Sequence, residues 1–201
     1  MSEVVGREAE TGVETGVETG SVTGAVTGVE TGVSIRPRRP ADLAACVSII
    51  AETHRTNHYP VNWPTDPERW LTPAGLLGAW VAELDGVVVG HVALMVATDA
   101  PAGAWAARVG RPVTETAEIT RLCVAGAARR RSVGRRLLDT ATAAAREQGR
   151  QAVLGVFDQD SSAIALYDSA GWQRMSSVDY EMSRGDTVLM HCYAAPNPLM
   201  T

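Results

Sequence analysis

The chain has 201 residues, 45% of them hydrophobic, and a formal net charge of −5. Its length suits one domain of ordinary size, and no apolar run approaches the roughly twenty residues that a membrane span requires. All 18 basic residues are arginine, which excludes a Schiff-base lysine and a Walker lysine. The first residues lack the layout of a signal peptide, so we expect a cytoplasmic protein without a membrane partner.

The charge is unevenly distributed along the chain. Residues 1–32 hold six glutamates and one arginine, whereas the remainder holds 17 arginines and 17 acidic residues. A neutral remainder argues against nucleic acid as the partner, although eight arginines lie between Arg121 and Arg150. Three cysteines outside any CxxC pair argue against a disulfide framework, and four histidines without metal-ligand spacing predict no metal site.

The N-terminal region is repetitive. Residues 9–32 form six tetrads that each end in Thr-Gly. A glycine at every fourth position, with acidic and β-branched residues between, cannot build a core, so we predict that residues 1–32 are a disordered tail. Residues 33–195 form the single predicted domain, and residues 196–201 are expected to be frayed.

The domain opens with a predicted strand and two predicted helices. Residues 33–38 alternate in polarity as a strand does, and apolar residues recur at helical spacing from Pro40 to about His54. A loop rich in prolines and aromatic residues follows, and Pro67 opens a short second helix.

A hairpin is predicted next. Strands over 80–84 and 87–96 are joined by Asp85-Gly86, which is a strong hairpin signal. His91 in the second strand is interpreted as a structural residue, with an auxiliary base as the alternative. The stretch 98–112 is rich in glycine, proline and alanine and is predicted to be a loop.

Residues 117–138 predict a strand, a short loop and a helix. The strand carries the apolar residues Ile119, Leu122 and Val124, and helical spacing begins at Val133. The loop therefore lies at a helix N-terminus, where unpaired N–H groups and the helix dipole favour phosphate. Five arginines add positive charge there: Arg129, Arg130, Arg131, Arg135 and Arg136. We predict an anion with more than one phosphate as the ligand, with a solvated basic face and a nucleic-acid patch as the alternatives.

The last third of the domain predicts a strand, a helix and a strand pair. The apolar stretch 151–157 predicts a strand that runs parallel to the preceding one, with the intervening helix on one face of the sheet. A helix over 160–170 is closed by Gly171. Two antiparallel strands over 172–178 and 187–193 complete the predicted sheet.

Two motifs within these elements match one family. The loop reads Arg129-x-x-Ser132-x-Gly134, and a later segment reads Asp160-Ser-Ser-Ala163-Ile-Ala-Leu-Tyr167-Asp-Ser-Ala-Gly171-Trp172. Together they resemble the acyl-CoA-binding core of the GNAT superfamily of N-acetyltransferases, whose patterns are Gln/Arg-x-x-Gly-x-Gly/Ala and Asn-x-x-Ala-x-x-x-Tyr-x-x-x-Gly-Phe. Serine replaces the first glycine, aspartate the asparagine and tryptophan the phenylalanine. The resemblance, over about 34–193, implies an α/β (α+β) fold: a mixed central sheet with two splayed parallel strands and flanking helices.

The resemblance also implies an activity and a set of site residues. The expected enzyme moves an acetyl group from acetyl-CoA, its acyl-donor cosubstrate, to a primary amine by direct attack in a ternary complex, without a metal. Glu118 is the expected base, with a salt bridge or a solvated face as the alternative. Tyr167 is the expected acid to the CoA thiolate, with a packing tyrosine as the alternative. The residues expected to bind acetyl-CoA are Leu122, Cys123, Val124, Arg129, Arg130, Arg131, Ser132, Val133, Gly134, Arg135 and Asp160.

The acceptor is a small-molecule or peptide amine that the sequence does not identify. His58, Tyr59 and Trp63 are candidate contacts to it, because the first helices and their loop form one wall of the acceptor pocket in this family. A surface loop ordered by its prolines is the alternative interpretation. A homodimer is left open. The rival function is a catalytically silent acyl-CoA-binding regulatory domain, which the serine at position 132 permits.

Overall fold

The structure is a computed structural model that describes residues 32–182, 185 and 187–196. The tail predicted over 1–32 and the end predicted to be frayed over 196–201 lie almost entirely outside this range.

A single sheet organises the described residues. Its strands are β1 Ser34–Pro37, β2 Leu76–Leu84, β3 Val87–Val96, β4 Thr116–Val124, β5 Gln151–Phe157, β6 Gln173–Glu181 and β7 Thr187–Ala194. They lie in the order β1-β2-β3-β4-β5-β7-β6, and β4 and β5 are the parallel pair while the other neighbours are antiparallel. The predicted mixed α/β fold is confirmed.

The parallel pair is short, which matters most for the site. β4 and β5 pair only where Thr116, Ala117 and Glu118 meet Gln151, Ala152 and Val153. Beyond Glu118 the two strands separate, so the edge of β4 that faces β5 has no strand partner there among the described residues. The predicted splayed strands are confirmed.

Helices cover both faces of the sheet. They are α1 Leu43–Asn57, α2 Pro67–Leu71, α3 Ala100–Val109, α4 Val133–Glu147 and α5 Ser161–Ser169. On one face, α4 buries its apolar stripe against Val92, Leu94 and Ile119. On the other face α1 packs over Val81 and Cys123, while α3 packs over Val153 and Ala194. Since α1 lies over β3 and β4 whereas α3 lies mainly over β5, β6 and β7, the divergence of β4 and β5 falls between the two helices.

The loop predicted over 98–112 is wrong, because α3 occupies most of it. Five of its ten residues are alanine, the best helix former, and Pro101 stands in the first turn, where a missing N–H costs nothing. Ala102 and Trp105 are buried against the sheet, and Gly110 ends the helix at φ 69°. Glycine and proline at helix ends were mistaken for the composition of a loop.

Local sequence signals explain the remaining elements. Asp85 and Gly86 have φ of 51° and 80°, as the two central residues of a type I′ turn require, so the predicted hairpin is confirmed. The first helix is longer than predicted and ends at His58, which adopts φ 55°. Near its start Asp42 accepts hydrogen bonds from Arg36 at 2.7 and 2.9 Å, and this ion pair joins β1 to α1.

Candidate active site

A cavity of about 610 Å³ opens where β4 and β5 separate. The N-terminal ends of α4 and α5 line it, together with β4 and β5. It brings together most of the residues predicted from the sequence: Tyr59, Glu118, Leu122, Cys123, Val124, Arg129, Arg130, Ser132, Val133, Gly134, Arg135, Asp160 and Tyr167. Of the predicted residues, His58, Trp63 and Arg131 do not line it.

The loop before α4 forms one wall of the cavity. Ser132 stands immediately before the helix at φ 58°, the left-handed region that glycine enters most easily, and Arg130 has φ 61°. Ser132 stands where the family pattern has glycine, and its backbone conformation is one that glycine adopts readily. Arg129 donates to the side-chain oxygen of Asn57 at 2.7 Å. This hydrogen bond ties the loop to α1, which packs on the face of the sheet opposite to α4.

Glu118 is the last residue of β4 that pairs with β5, and the two strands begin to diverge there. Burial raises the pKa of its carboxyl to about 7, the negative charge of Asp99 adds to this, and the Arg121 charge opposes it. No hydrogen-bond partner among the described residues reaches the carboxylate. A carboxyl that is half ionised near neutral pH is suited to accept a proton in catalysis.

Tyr167 lines the cavity from α5. Its ring lies 6.0 Å from that of Trp172 and 5.9 Å from that of Tyr193, so packing fixes its position. Burial raises the pKa of its hydroxyl, which is therefore protonated at neutral pH. Within the described part of the chain the hydroxyl makes no hydrogen bond, so the backbone bond expected of a purely packing tyrosine is not found there.

Asp160 begins the helix that carries Tyr167. Its side chain accepts from the backbone N–H of Ala163 at 3.0 Å and from the hydroxyl of Ser162 at 2.9 Å. It is therefore the N-cap of α5, and it satisfies a donor that the helix would otherwise leave unpaired. Its position in the motif is explained by this capping role, while it also borders the cavity.

A bulge in β4 shapes the wall beside Glu118. The register with β3 shifts between His91 and Ala93, and Arg121 has φ 54°. Arg38, which can only donate, lies 3.0 Å from His91 Nε2, so His91 Nδ1 carries the proton and donates to the carbonyl of Arg121 at 3.0 Å. Burial lowers the pKa of His91 to about 4, so the ring is neutral. His91 is fully buried and supports the bulge, in line with a structural role.

The aromatic loop after α1 contributes Tyr59. Its hydroxyl accepts from the backbone N–H of Arg121 at 3.0 Å, and burial raises the pKa of Tyr59 to about 12. Trp63 is 42% exposed and packs against His54 in a tilted arrangement, with ring centroids 5.5 Å apart. His58 is exposed at the end of α1.

Several cavity residues were not predicted from the sequence. Thr53 and Asn57 come from α1, Arg121 from the bulge and Met190 from β7. The sequence carries no local signal for the first two, because they differ in no visible way from other polar residues on a helix. Arg121 stands three positions after Glu118, but a strictly alternating strand would point it to the other face.

A model of the acetyltransferase (GNAT) family matches residues 43–172, which is more than half of the chain. The chain belongs to the GNAT family. Family membership and the fold agree with an acetyl-CoA-dependent acetyltransferase. No curated protein matches the chain in sequence.

Solved GNAT structures share the fold. The putative acetyltransferase yncA from Salmonella typhimurium, solved with acetyl-CoA, is 22% identical, with a TM-score of 0.63 over 81% of this chain and 92% of that one. A ribosomal-protein-alanine N-acetyltransferase from Brucella melitensis is 23% identical, with a TM-score of 0.63 over 82% and 99%. The ribosomal-protein-S18-alanine N-acetyltransferase of Escherichia coli is 18% identical, with a TM-score of 0.59 over 82% and 93%.

Neither a membrane-spanning helix nor a metal-ligand cluster occurs in the described part of the chain. In the described ranges no helix has the length and apolar character needed to cross a membrane. The same residues contain no group of three or more His, Cys, Asp or Glu side chains arranged to hold a metal ion.

Proposed function

We propose that this GNAT protein is an N-acetyltransferase that moves the acetyl group of acetyl-CoA to a primary amine within a ternary complex. The observation that carries the proposal is the cavity between the diverging strands, which Glu118 and Tyr167 both line. Acceptor and donor can meet there beside one proton acceptor and one proton donor.

The cavity suits acetyl-CoA on three grounds. The unpartnered edge of β4 from Ile119 to Val124 offers backbone groups to the amides of the pantetheine arm, much as a neighbouring strand would. The first N–H groups of α4 suit the pyrophosphate. The guanidinium groups of Arg129, Arg130 and Arg135 add charge-assisted hydrogen bonds to the phosphates.

Glu118 and Tyr167 have complementary roles in this proposal. Glu118 removes a proton from the acceptor ammonium, which leaves a neutral nitrogen able to form the new C–N bond. The thioester C–S bond breaks, and Tyr167 gives its proton to the departing sulfur. The nitrogen then loses its second proton, which returns the Tyr167 phenolate to its hydroxyl form. Acetyl-CoA supplies the activated acetyl group. The raised pKa of each residue is consistent with its role, since Glu118 is then a stronger base and Tyr167 remains protonated.

The test is free-thiol release from acetyl-CoA over a panel of amines, with Tyr167→Phe beside the parent protein. We expect the variant to lose on the order of 10²–10⁴ in kcat. Its Kd for acetyl-CoA, measured by calorimetry, stays the same because the ring and its packing remain. Tyr180→Phe is the matched control, since Tyr180 is 45% exposed and outside the cavity lining.

Three results would contradict the proposal. Equal losses of kcat and acetyl-CoA affinity in Tyr167→Phe would assign the residue a structural role. Acetyl-CoA binding by the parent without thiol release from any amine would favour the regulatory domain. Failure of the parent to bind acetyl-CoA would reject both functions.

A further inference from the structure

Arg121 is held in an unusual backbone position at the cavity wall. Its φ of 54° lies in the left-handed region, which few non-glycine residues occupy. Two long-range contacts hold it there: its N–H donates to the hydroxyl of Tyr59 at 3.0 Å, and its carbonyl accepts from His91 at 3.0 Å. The fold thus holds both the backbone N–H and the backbone carbonyl of Arg121 in place.

The side chain of Arg121 is a half-buried cation that forms no ion pair within the described residues. Its guanidinium carbon lies 4.5 Å above the ring of Trp70, and its Nη1 lies 2.7 Å from the sulfur of Met95, which is a weak acceptor. Its Nε is buried and has no hydrogen-bond partner. No salt bridge joins Arg121 to a carboxylate of the described residues.

An arrangement of this kind is costly unless an anion completes it. A buried donor without a partner loses its hydration and gains nothing in exchange, and the penalty is larger for a charged group. Nε is buried and Nη1 contacts Met95, whereas Nη2 makes no hydrogen bond within the described residues and is not among the buried unpaired atoms, so it can donate to an anion such as a carboxylate. Arg121 lines the same cavity as Glu118, so the anion would belong to a molecule bound there.

Glu118 and Arg121 both line the cavity. They stand three positions apart in β4, and each charge influences the other's ionisation, yet they form no salt bridge. An amino acid carries an ammonium and a carboxylate close together, and it can place one against each residue. We propose that the acceptor is an amine bearing a nearby carboxylate, that is an amino acid, and that Arg121 binds its carboxylate while Glu118 receives its ammonium.

This inference rests on the proposed function, and the experiment separates the two. Thiol release is measured with α-amino acids, their amides, and ω-amino acids, which hold the carboxylate further from the nitrogen. The parent should prefer the best amino acid over its amide by roughly 10- to 100-fold in kcat/KM. Arg121→Gln should remove that preference, chiefly through KM for the amino acid, and Arg121→Lys should restore part of it.

The control is Arg108→Gln, which removes an exposed arginine from α3 and should change nothing. Thermal melts show whether the Arg121 variants are folded, and the preference of the parent stands without them. Turnover by the parent with amides and amino acids alike would overturn the inference and leave the proposed function intact. If no amine releases thiol, the proposed function fails. Calorimetry on the CoA-loaded protein then decides: binding of the amino acid but not its amide, lost in Arg121→Gln, supports the site, and equal or no binding overturns it.

Discussion

The ionisation of Glu118 predicts the direction in which kcat/KM changes with pH. Its pKa of about 7 means that the carboxylate needed as a base forms as pH rises through neutrality. We expect kcat/KM to rise with pH through about 7 and then to level off. Glu118→Gln should lower kcat on the order of 10²–10⁴ and remove that rise. A rise that persists in the variant would belong to the acceptor amine and would contradict the role of Glu118.

The same residue links stability to pH in the opposite direction to most carboxylates. The folded-state pKa of Glu118, about 7, lies above the ordinary value of 4.5, so the folded state binds the proton more tightly. Its contribution to stability is complete below pH 4.5 and is lost as pH rises to about 7. Urea denaturation of the parent and Glu118→Gln should therefore show the variant relatively more stable at pH 8 than at pH 4.

Ser132 is the residue at which the chain departs from its family pattern. The structure places it at φ 58°, where a Cβ costs about 1–2 kcal/mol relative to glycine. We expect Ser132→Gly to exceed Ser132→Ala by about 1 kcal/mol in the free energy of unfolding. Both variants lose the hydroxyl, so the difference isolates the backbone. Equal stabilities in urea denaturation would show that the loop relaxes out of the left-handed region.

At the scale of elements, the sequence predicts those helices and turns that a few adjacent residues determine. The Asp85-Gly86 turn, the stripe of α4 and the end of α5 before Gly171 each depend on a few adjacent residues, and the structure has all three. The loop predicted over 98–112 is wrong because the helix propensity of five alanines outweighs Gly103, while Pro101 and Gly110 stand at the ends of the helix, where they are tolerated. Element type is therefore predictable where propensity and periodicity agree.

The local sequence pattern predicts neither the bulge in β4 nor the divergence of β4 from β5. The bulge at Arg121 depends on His91 and Tyr59, which lie far away in the chain. The parallel pair stops after Glu118, and no local sequence signal marks that position. Resemblance to the GNAT family supplied the expectation of splayed strands. It did not supply Arg121, because that side chain becomes a site residue only through the bulge.

At the scale of the whole molecule, contacts of β1 and of the residue before it tie the start of the domain to β2, α1 and α4. Arg36 in β1 donates to Asp42 and to Glu83 of β2 at 2.8 Å, and it holds the pKa of Asp42 down at about 2. Arg136 of α4 donates to the carbonyl of Val33. Residues 1–32, which include the tetrads, precede all of these contacts and carry a net charge of −5.

Deletion of residues 1–31 tests whether the tetrad repeat contributes to the domain. Because the sheet, the ion pair of Arg36 and the cavity all use later residues, we expect the same melting temperature and the same kcat/KM as the full chain. Deletion of residues 1–38 is the contrasting variant. It removes β1 and leaves the nearly buried Asp42 without its guanidinium, so its melting temperature should fall by several degrees. If the shorter deletion also lowered the melting temperature, the repeat would have to pack on the domain and stabilise it.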